Sequence, residues 1–191
     1  MIIKQGTEDG SIFVGKSTWP PTGGTATVKT GTYATITGAT KTDQYYLNRG
    51  YFRFNTSSIP ANAVITGVKL WFKLYNKTNV DSFNIQIQVY RDNGDWGPTL
   101  DTGDWGCGDT LVGTKNWVDL PAIGEWFSID LNPSYINKGG ITAFETRGDH
   151  ESGTAPTGYN DTDVYTADSS GNEPYLEISY FIPGAILLMQ L

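Results

Sequence analysis

The sequence predicts an all-β protein built as one antiparallel β-sandwich with long polar loops. Several segments alternate apolar and polar residues with a period of two, which is typical of strands with one buried face. The composition is rich in turn-forming residues, with 23 Gly and 9 Pro, and in aromatic residues, with 6 Trp, 11 Tyr and 8 Phe. Gly- and Asp-containing turns separate the alternating segments, as they do in sandwiches and barrels.

The chain of 191 residues is long enough for a single sandwich domain. Residues 1–24 lack strong alternation and are expected to form an N-terminal arm or a first edge strand. Residues 25–180 carry the alternating segments and are expected to form the sandwich. Residues 181–191 form an apolar C-terminal tail. The pattern leaves the strand order open, since jelly-roll and immunoglobulin-like sandwiches share it.

Residues 26–74 contain three predicted strand regions. The segment 26–36 is a Thr-rich alternation broken by Gly31, and 51–54 is a short strand with two inward Phe residues. The segment 64–74 has the clearest period of two, with Lys69, Trp71 and Lys73 on the outer face. Its predicted inward residues are Val64, Val68, Leu70, Phe72 and Leu74.

Three later segments repeat the pattern, at 84–90, 127–131 and 176–180. Their predicted inward residues are Ile85, Ile87, Val89, Phe127, Ile129, Leu131, Leu176, Ile178 and Tyr180. The segment 141–146 is predicted as a strand whose two faces are hard to distinguish. Pro133 favours a short helical turn at 132–136, because proline is preferred at the first helical position.

Two stretches are predicted as long polar excursions from the sandwich. The first runs from Asp92 to Gly124 and the second from Gly148 to Asn172. Both are rich in Asp, Asn, Gly and Thr, which are common in turns. We therefore expect candidate binding residues in these two stretches.

The charge balance disfavours nucleic acid as a partner. The chain has 13 Lys and Arg against 20 Asp and Glu, with a formal net charge of -7 at pH 7, so phosphate backbones would be repelled. Cys107 is the single cysteine, so an intramolecular disulfide cannot form. The first residues lack the apolar core of a secretory signal peptide, and the apolar run at 185–191 is far shorter than the ~20 residues of a membrane span.

The segments Arg53-Phe54-Asn55-Thr56-Ser57-Ser58-Ile59-Pro60 and 63–70 resemble the signature of DNRLRE-type domains. Further resemblance follows at Val89-Tyr90 up to Trp96, at Trp117, at 126–131 and at 174–180. Domains of that family are similar to carbohydrate-binding modules of bacterial extracellular proteins. The resemblance implies a jelly-roll-like sandwich over roughly residues 8–180, and it implies glycan binding as one function.

Four tryptophans are candidate glycan- or partner-binding residues: Trp71, Trp96, Trp105 and Trp117. Exposed planar rings stack on sugar faces and anchor protein interfaces. Their alternative role is to fold back and complete the core.

Closely spaced acidic residues in polar sequence are candidate calcium ligands, because calcium prefers several oxygen ligands. The candidates are Asp92, Asp95, Asp161 and Asp163, and solvated turns are the alternative. No catalytic residue is predicted. His150 is expected in an exposed loop, without a second histidine or a nucleophile motif beside it.

The tail is the candidate assembly element, because an exposed apolar segment needs a surface to cover it. Its apolar residues are Phe181, Ile182, Ile186, Leu187, Leu188, Met189 and Leu191. The tail is expected to pack on its own domain, on a second copy of the chain or on a host surface. One further strand on the same sandwich is the alternative.

The leading functional hypothesis is a non-enzymatic structural or binding module of a larger assembly. A bacteriophage virion surface is the expected setting, with capsid decoration or tail attachment as the task and homo-oligomers or other particle proteins as partners. The alternative is a carbohydrate-binding module of an extracellular bacterial protein. A hydrolase or lyase that uses loop carboxylates is a third hypothesis.

Overall fold

The computed structural model describes residues 1–92 and 97–184, and at residues 4–8 it describes the backbone alone. Within these residues the secondary structure consists of β-strands and three short 3₁₀ helices, Thr102–Asp104, Trp117–Asp119 and Pro133–Tyr135. The strands are β1 Ile2–Lys16, β2 Thr25–Lys29, β3 Tyr33–Lys41, β4 Tyr45–Asn55, β5 Val64–Asn79, β6 Gln86–Asp92, β7 Gly108–Asn116, β8 Trp126–Leu131, β9 Ile141–Gly148, β10 Tyr159–Tyr165 and β11 Tyr175–Phe181.

All of these strands pair antiparallel, in the order β2-β1-β11-β5-β10-β3-β4-β9-β6-β7, with β8 paired to β5. An additional pairing between β1 and β4 joins strands that are far apart in this order. The sheet therefore curls on itself into a half-barrel. The prediction of an all-β antiparallel fold is confirmed.

The main core lies between facing parts of the curled sheet. Phe52 on β4 packs against Phe72 on β5 with ring centroids 4.8 Å apart, and Phe54 packs against Phe144 on β9 at 6.1 Å. All four rings are fully buried. Burial of such rings removes a large apolar area from water and is the main favourable term for this fold.

The predicted alternation is confirmed in the four clearest segments. The buried residues on the predicted inward faces are Val68, Leu70, Phe72, Leu74, Ile85, Ile87, Val89, Phe127, Ile129, Leu131, Leu176 and Ile178. Tyr180 is only partly buried, although it packs against the core. The predicted helical turn is also confirmed, as the 3₁₀ helix Pro133–Tyr135, which Asn132 caps by accepting from the Ser134 N–H at 3.1 Å.

Val64 was predicted to face inward, and this prediction is wrong, because its side chain is 42% exposed. The register between β5 and β11 shifts here, since Ser179 pairs with Gly67 and Tyr180 pairs with Ile65. Thr66 is the extra residue of a β-bulge, and a bulge reverses the alternation beyond it. Ile65 consequently packs against the core in place of Val64.

Both stretches predicted as polar excursions contain a strand of the sheet, so those predictions are wrong in part. The first contains β7, which pairs with β6. The second contains β10, which lies between β5 and β3. Its polar residues are accommodated by hydrogen bonds, since the buried Asn160 amide donates to the Ala39 carbonyl at 3.2 Å and to an Asp81 carboxylate oxygen at 2.6 Å.

Three further segments complete the description of the sheet. The Thr-rich segment broken at Gly31 forms two strands, β2 and β3. In β9, neighbouring residues from Thr142 to Thr146 are all buried, so both faces of this strand are covered. The N-terminal segment contributes β1, which pairs with β2, β4 and β11.

Among residues 1–92 and 97–184, the structure contains no helix with the length and apolarity needed to cross a membrane.

Candidate binding groove

A surface groove of about 390 Å³ lies on the part of the sheet formed by β1 to β4 and β10. Four rings and six polar side chains line it: Phe13, Tyr33, Tyr46, Tyr159, Lys29, Thr35, Thr40, Asn48, Asp161 and Asp163. Aromatic walls with a few convergent polar groups are typical of small-molecule sites.

Strand geometry explains why β10 contributes three residues to this groove. Tyr159, Asp161 and Asp163 are two positions apart, so they lie on the same face of the strand. On the neighbouring strand, Thr35 pairs with Asp163, while Thr37 pairs with Thr162. Ile36 between them is an extra residue of a β-bulge and is fully buried in the main core.

The two carboxylates of the groove have different surroundings. Asp163 is 7% exposed and accepts a 2.6 Å hydrogen bond from the Thr35 hydroxyl. Burial raises the pKa of Asp163, and the bond from Thr35 opposes this rise. Asp161 has a buried Oδ1 atom with no hydrogen-bond partner among the described residues. Its pKa is raised to about 6, first by burial and then by the neighbouring charge of Asp163, while Lys29 acts in the opposite direction.

Three rings of the groove, Phe13, Tyr33 and Tyr46, are held by contacts with other side chains. Tyr33 stacks on Tyr75 with centroids 4.6 Å apart, and the Lys29 ammonium lies 3.8 Å from the Tyr33 ring centroid. Tyr46 packs edge-on against Phe13 at 5.9 Å, and its hydroxyl donates to an Asp43 carboxylate oxygen at 3.2 Å. These contacts fix the rings before a ligand arrives, which lowers the entropic cost of binding.

The predicted tryptophans do not line this groove. Trp71 is half-buried on the outer face of β5, and its indole N–H donates to a Glu177 carboxylate oxygen at 2.9 Å. Trp105 is half-buried under the Arg49 guanidinium, 4.2 Å from the ring centroid. Trp117 packs against the main core. Trp96 lies outside the described residues.

The predicted calcium ligands fall into two groups. Asp161 and Asp163 lie together in the groove, and calcium binding by them stays a prediction. Asp92 is buried at the end of β6, and Asp95 lies outside the described residues. Within residues 1–92 and 97–184, no group of three or more His, Cys, Asp or Glu side chains is arranged to hold a metal ion.

Of the predicted tail, Phe181 and Ile182 lie within the described part of the chain, and they are 53% and 38% exposed. The other predicted tail residues, Ile186, Leu187, Leu188, Met189 and Leu191, lie outside it. His150 was expected to be exposed, and this is wrong, because its side chain is 15% exposed. Its ring packs beside Phe83 with centroids 5.7 Å apart, and burial lowers the pKa of this imidazole.

A buried charge cluster lies on the face of β4 opposite to Tyr46 and Asn48 of the groove. This cluster was not predicted. Arg49 donates two hydrogen bonds to the Glu151 carboxylate, at 2.9 and 2.6 Å, and one to Glu145 at 3.1 Å. Arg147 lies 3.4 Å from the same Glu145 carboxylate. Burial raises the pKa of Glu145, and the two arginines oppose this rise. Each charge has an opposite partner, as buried charges require.

Sequence reasoning missed the rings and the lysine of the groove, namely Phe13, Lys29, Tyr33, Tyr46 and Tyr159. One signal was available, because 159–165 reads Tyr-Asn-Asp-Thr-Asp-Val-Tyr and places Tyr159, Asp161 and Asp163 at a period of two. The groove residues of the other strands are far apart in the sequence and meet only through strand pairing.

Comparison of the chain with known protein families and with curated proteins found no match.

Proposed function

We propose that this protein is a non-enzymatic binding module that holds a neutral or amine-bearing glycan in the groove lined by Tyr46 and Tyr159. The observation that carries the proposal is the combination of four rings and six polar side chains in one groove. Sugars present apolar C–H faces that pack on rings and hydroxyls that pair with carboxylates and amides. A jelly-roll-like sandwich, as implied by the resemblance to DNRLRE-type domains, is the finer fold that accompanies this proposal.

The groove chemistry favours neutral or amine-bearing sugars over acidic ones. Asp161 and Asp163 face Lys29 in the groove, and the whole chain has a formal charge of -7. A uronic acid or a sulfated sugar would bring further negative charge to these carboxylates and would be repelled.

Carboxylate placement supports binding in preference to glycoside hydrolysis. Hydrolysis uses two carboxyl groups that flank the glycosidic bond from opposite sides. Asp161 and Asp163 come from the same face of one strand, and Asp163 is engaged by Thr35. This arrangement suits two hydrogen-bond acceptors along one side of a bound sugar.

The test is calorimetric titration with soluble β-glucan, xylan, galactomannan, chitosan oligosaccharide and alginate. We expect binding of a neutral or amine-bearing member and loss of that binding in Tyr159→Ala and Asp163→Asn. Ile123→Ala is the matched control, because Ile123 is 59% exposed, Tyr159 is 52% exposed, and Ile123 does not line the groove. Flat titrations with every polysaccharide, or equal binding by Tyr159→Ala and the control, would contradict the proposal.

A second function, self-assembly within a larger particle, is favoured by an apolar surface at one end of the sheet. Val64, Phe181 and Ile182 are 42%, 53% and 38% exposed, and Val64 pairs with Phe181 across β5 and β11. A second cavity of about 500 Å³ adjoins this surface and is lined by Ala63, Val64, Ile65, Asn132, Pro133, Ser134, Ile136 and Lys138.

We propose that this end of the sheet contacts a second copy of the chain, because the sequence after Ile182 continues with the apolar residues 185–189. An oligomer built in this way suits a phage virion surface, as a capsid decoration or tail-attachment protein, with the groove free to bind glycans. A virion surface or an extracellular location is the corresponding setting.

Light scattering after size exclusion tests the second function with the full chain and with the double variant Phe181→Asp, Ile182→Asp. We expect a discrete oligomer that becomes a folded monomer in the variant. Val118→Asp is the control, because Val118 is 68% exposed and belongs to the 3₁₀ helix Trp117–Asp119, outside β5 and β11. A monomeric full chain, or an oligomer that survives in the double variant, would contradict self-assembly through this end.

A further inference from the structure

A strip of five rings covers the outer side of the sheet beyond the groove: Trp71, Tyr75, Trp126, Tyr165 and Tyr175. Trp71 and Tyr75 belong to β5, where they alternate with the buried Phe72 and Leu74 and therefore point away from the core. Tyr175 is the cross-strand partner of Trp71. We call these five residues the aromatic strip.

Contacts between the rings divide the aromatic strip into two clusters. Tyr175 lies next to both tryptophans, with centroid distances of 5.8 Å to Trp71 and 5.3 Å to Trp126. Tyr75 and Tyr165 meet edge-on at 5.1 Å. Lys73 lies between the clusters, since it pairs with Trp126 across β5 and β8, and its ammonium is 5.9 Å from the Tyr165 ring centroid.

The aromatic strip is continuous with the groove at Tyr33. The Tyr33 ring lines the groove and stacks on Tyr75 at 4.6 Å, with an angle of 6° between the ring planes. From Tyr75 to Trp71 the strip follows β5 for about 13 Å, at ~3.3 Å per residue. The combined surface is therefore long in one direction and longer than a single sugar ring.

Polar groups accompany the rings along this surface. Glu177 accepts the Trp71 indole N–H at 2.9 Å, and Lys73 donates to the Asn172 amide oxygen at 2.8 Å. Such a mixture of ring edges, ammonium and carboxylate groups suits a ligand that has hydroxyls along its whole length. A purely apolar partner would have to desolvate these groups without pairing them.

We infer that the aromatic strip extends the groove, so that the ligand is an extended glycan chain of several sugar units and not a single sugar. This inference rests on the proposed glycan-binding function of the groove. The rings of the strip also stabilise the sheet as cross-strand pairs, so the test has to separate affinity from stability.

The experiment measures dissociation constants for β-1,4-linked glucose, mannose, xylose and glucosamine oligosaccharides of two, four and six units. We expect the constant to fall at least about tenfold from two units to six for the sugar that binds. Trp71→Ala and Tyr75→Ala are expected to remove this gain for six units and to change two-unit binding less than about twofold. Tyr159→Ala in the groove is expected to weaken all lengths.

Thermal unfolding of each variant, with and without the six-unit sugar, provides the stability control. A variant can unfold at a lower temperature than the wild-type protein and still gain as much affinity from two sugar units to six. Such a variant has lost a cross-strand pair only, and this outcome overturns the inference. Equal affinity for two and six units in the wild-type protein overturns it as well and leaves glycan binding by the groove intact. Failure of every oligosaccharide to bind overturns the proposed function together with this extension.

Discussion

The two halves of β4 place rings on the same face of one strand but in different surroundings. Tyr46, Asn48, Phe52 and Phe54 are separated by even numbers of residues, and the pairing of β4 with β3 and β9 has no register shift. Phe52 and Phe54 are fully buried, whereas Tyr46 and Asn48 line the groove.

The difference between the two halves comes from what faces them. Phe52 meets the Phe72 ring of β5 across the core, while Tyr46 meets Phe13 of β1, its neighbour within the sheet. A ring that is covered by the facing part of the sheet becomes core, and an uncovered ring lines a site. Burial on this strand is therefore decided by the curl of the sheet and not by the residue type.

The largest expected loss of stability follows from a substitution in the core half of β4. Phe52→Ala should lower the free energy of unfolding by about 3–5 kcal/mol, because it leaves a cavity beside Phe72. Urea unfolding followed by tryptophan fluorescence measures this loss, and Phe52→Leu should give a smaller one. A loss below about 1 kcal/mol for Phe52→Ala would show that the core does not depend on this ring.

Removal of a charge from the opposite face of β4 should lower the free energy of unfolding almost as much. Arg49→Ala removes the two hydrogen bonds that Arg49 donates to Glu151 and one of the two arginine contacts of Glu145, so we expect a loss of about 3 kcal/mol. Arg91→Ala is a control arginine on β6, which is separated from β4 by β9, and it lies outside this cluster. Equal stability of Arg49→Ala and the control in urea unfolding would contradict a structural role for the buried charge cluster.

A smaller, pH-dependent effect is expected in the groove. Because the pKa of Asp161 is raised from 3.8 to about 6 in the folded protein, the folded state binds this proton more tightly than the unfolded state. Stability contributed by the protonated form is present below pH 3.8 and is lost as the pH rises through about 6.

Asp161→Asn should therefore stabilise the protein at pH 7 by roughly 1–2 kcal/mol and should have little effect at pH 3.5. Unfolding at a series of pH values tests this expectation, with the exposed Asp109→Asn as the control. If the free energy of unfolding changes with pH in the same way in the wild-type protein and in Asp161→Asn, the groove does not hold this carboxyl in a desolvated position.

The smallest effect is expected in the groove half of β4. Tyr46→Ala should cost less than about 1 kcal/mol in stability, as is usual for a partly exposed side chain, while it weakens binding of the glycan that the groove accepts. Measurement of both quantities in one variant compares directly with Phe52→Ala. A stability loss as large as that of Phe52→Ala would contradict the distinction between core and groove on this strand.

Prediction from the sequence succeeded where one face of a strand is apolar and the other is charged. In β5, lysines at 69 and 73 alternate with Val68, Leu70, Phe72 and Leu74, and the buried face follows directly from the pattern. Prediction was wrong for β10 because its residues are polar on both faces. Hydrogen bonds such as those of Asn160 and Thr35 make such a strand stable within the sheet, and alternation of hydrophobicity does not report them.

The candidate site was predicted less well than the fold. Asp161 and Asp163 were singled out as cation ligands in a loop, and the structure places them on β10 among aromatic rings of three other strands. Trp71 was correctly predicted on the outer face of β5, but its neighbours Tyr175 and Trp126 come from strands more than 50 positions away in the sequence. Side chains that meet through strand pairing leave no local signal.

Local sequence patterns were sufficient to predict the all-β class, the strands with alternating faces and the 3₁₀ helix at Pro133. These features depend on local properties, namely the two-residue period of a strand and the fixed backbone angle of proline. The tertiary structure alone decided the bulges at Ile36 and Thr66, the curl that leaves Tyr46 uncovered, and the meeting of rings and carboxylates in the groove. These depend on which strands pair and in which register, and that choice minimises the free energy of the whole sheet.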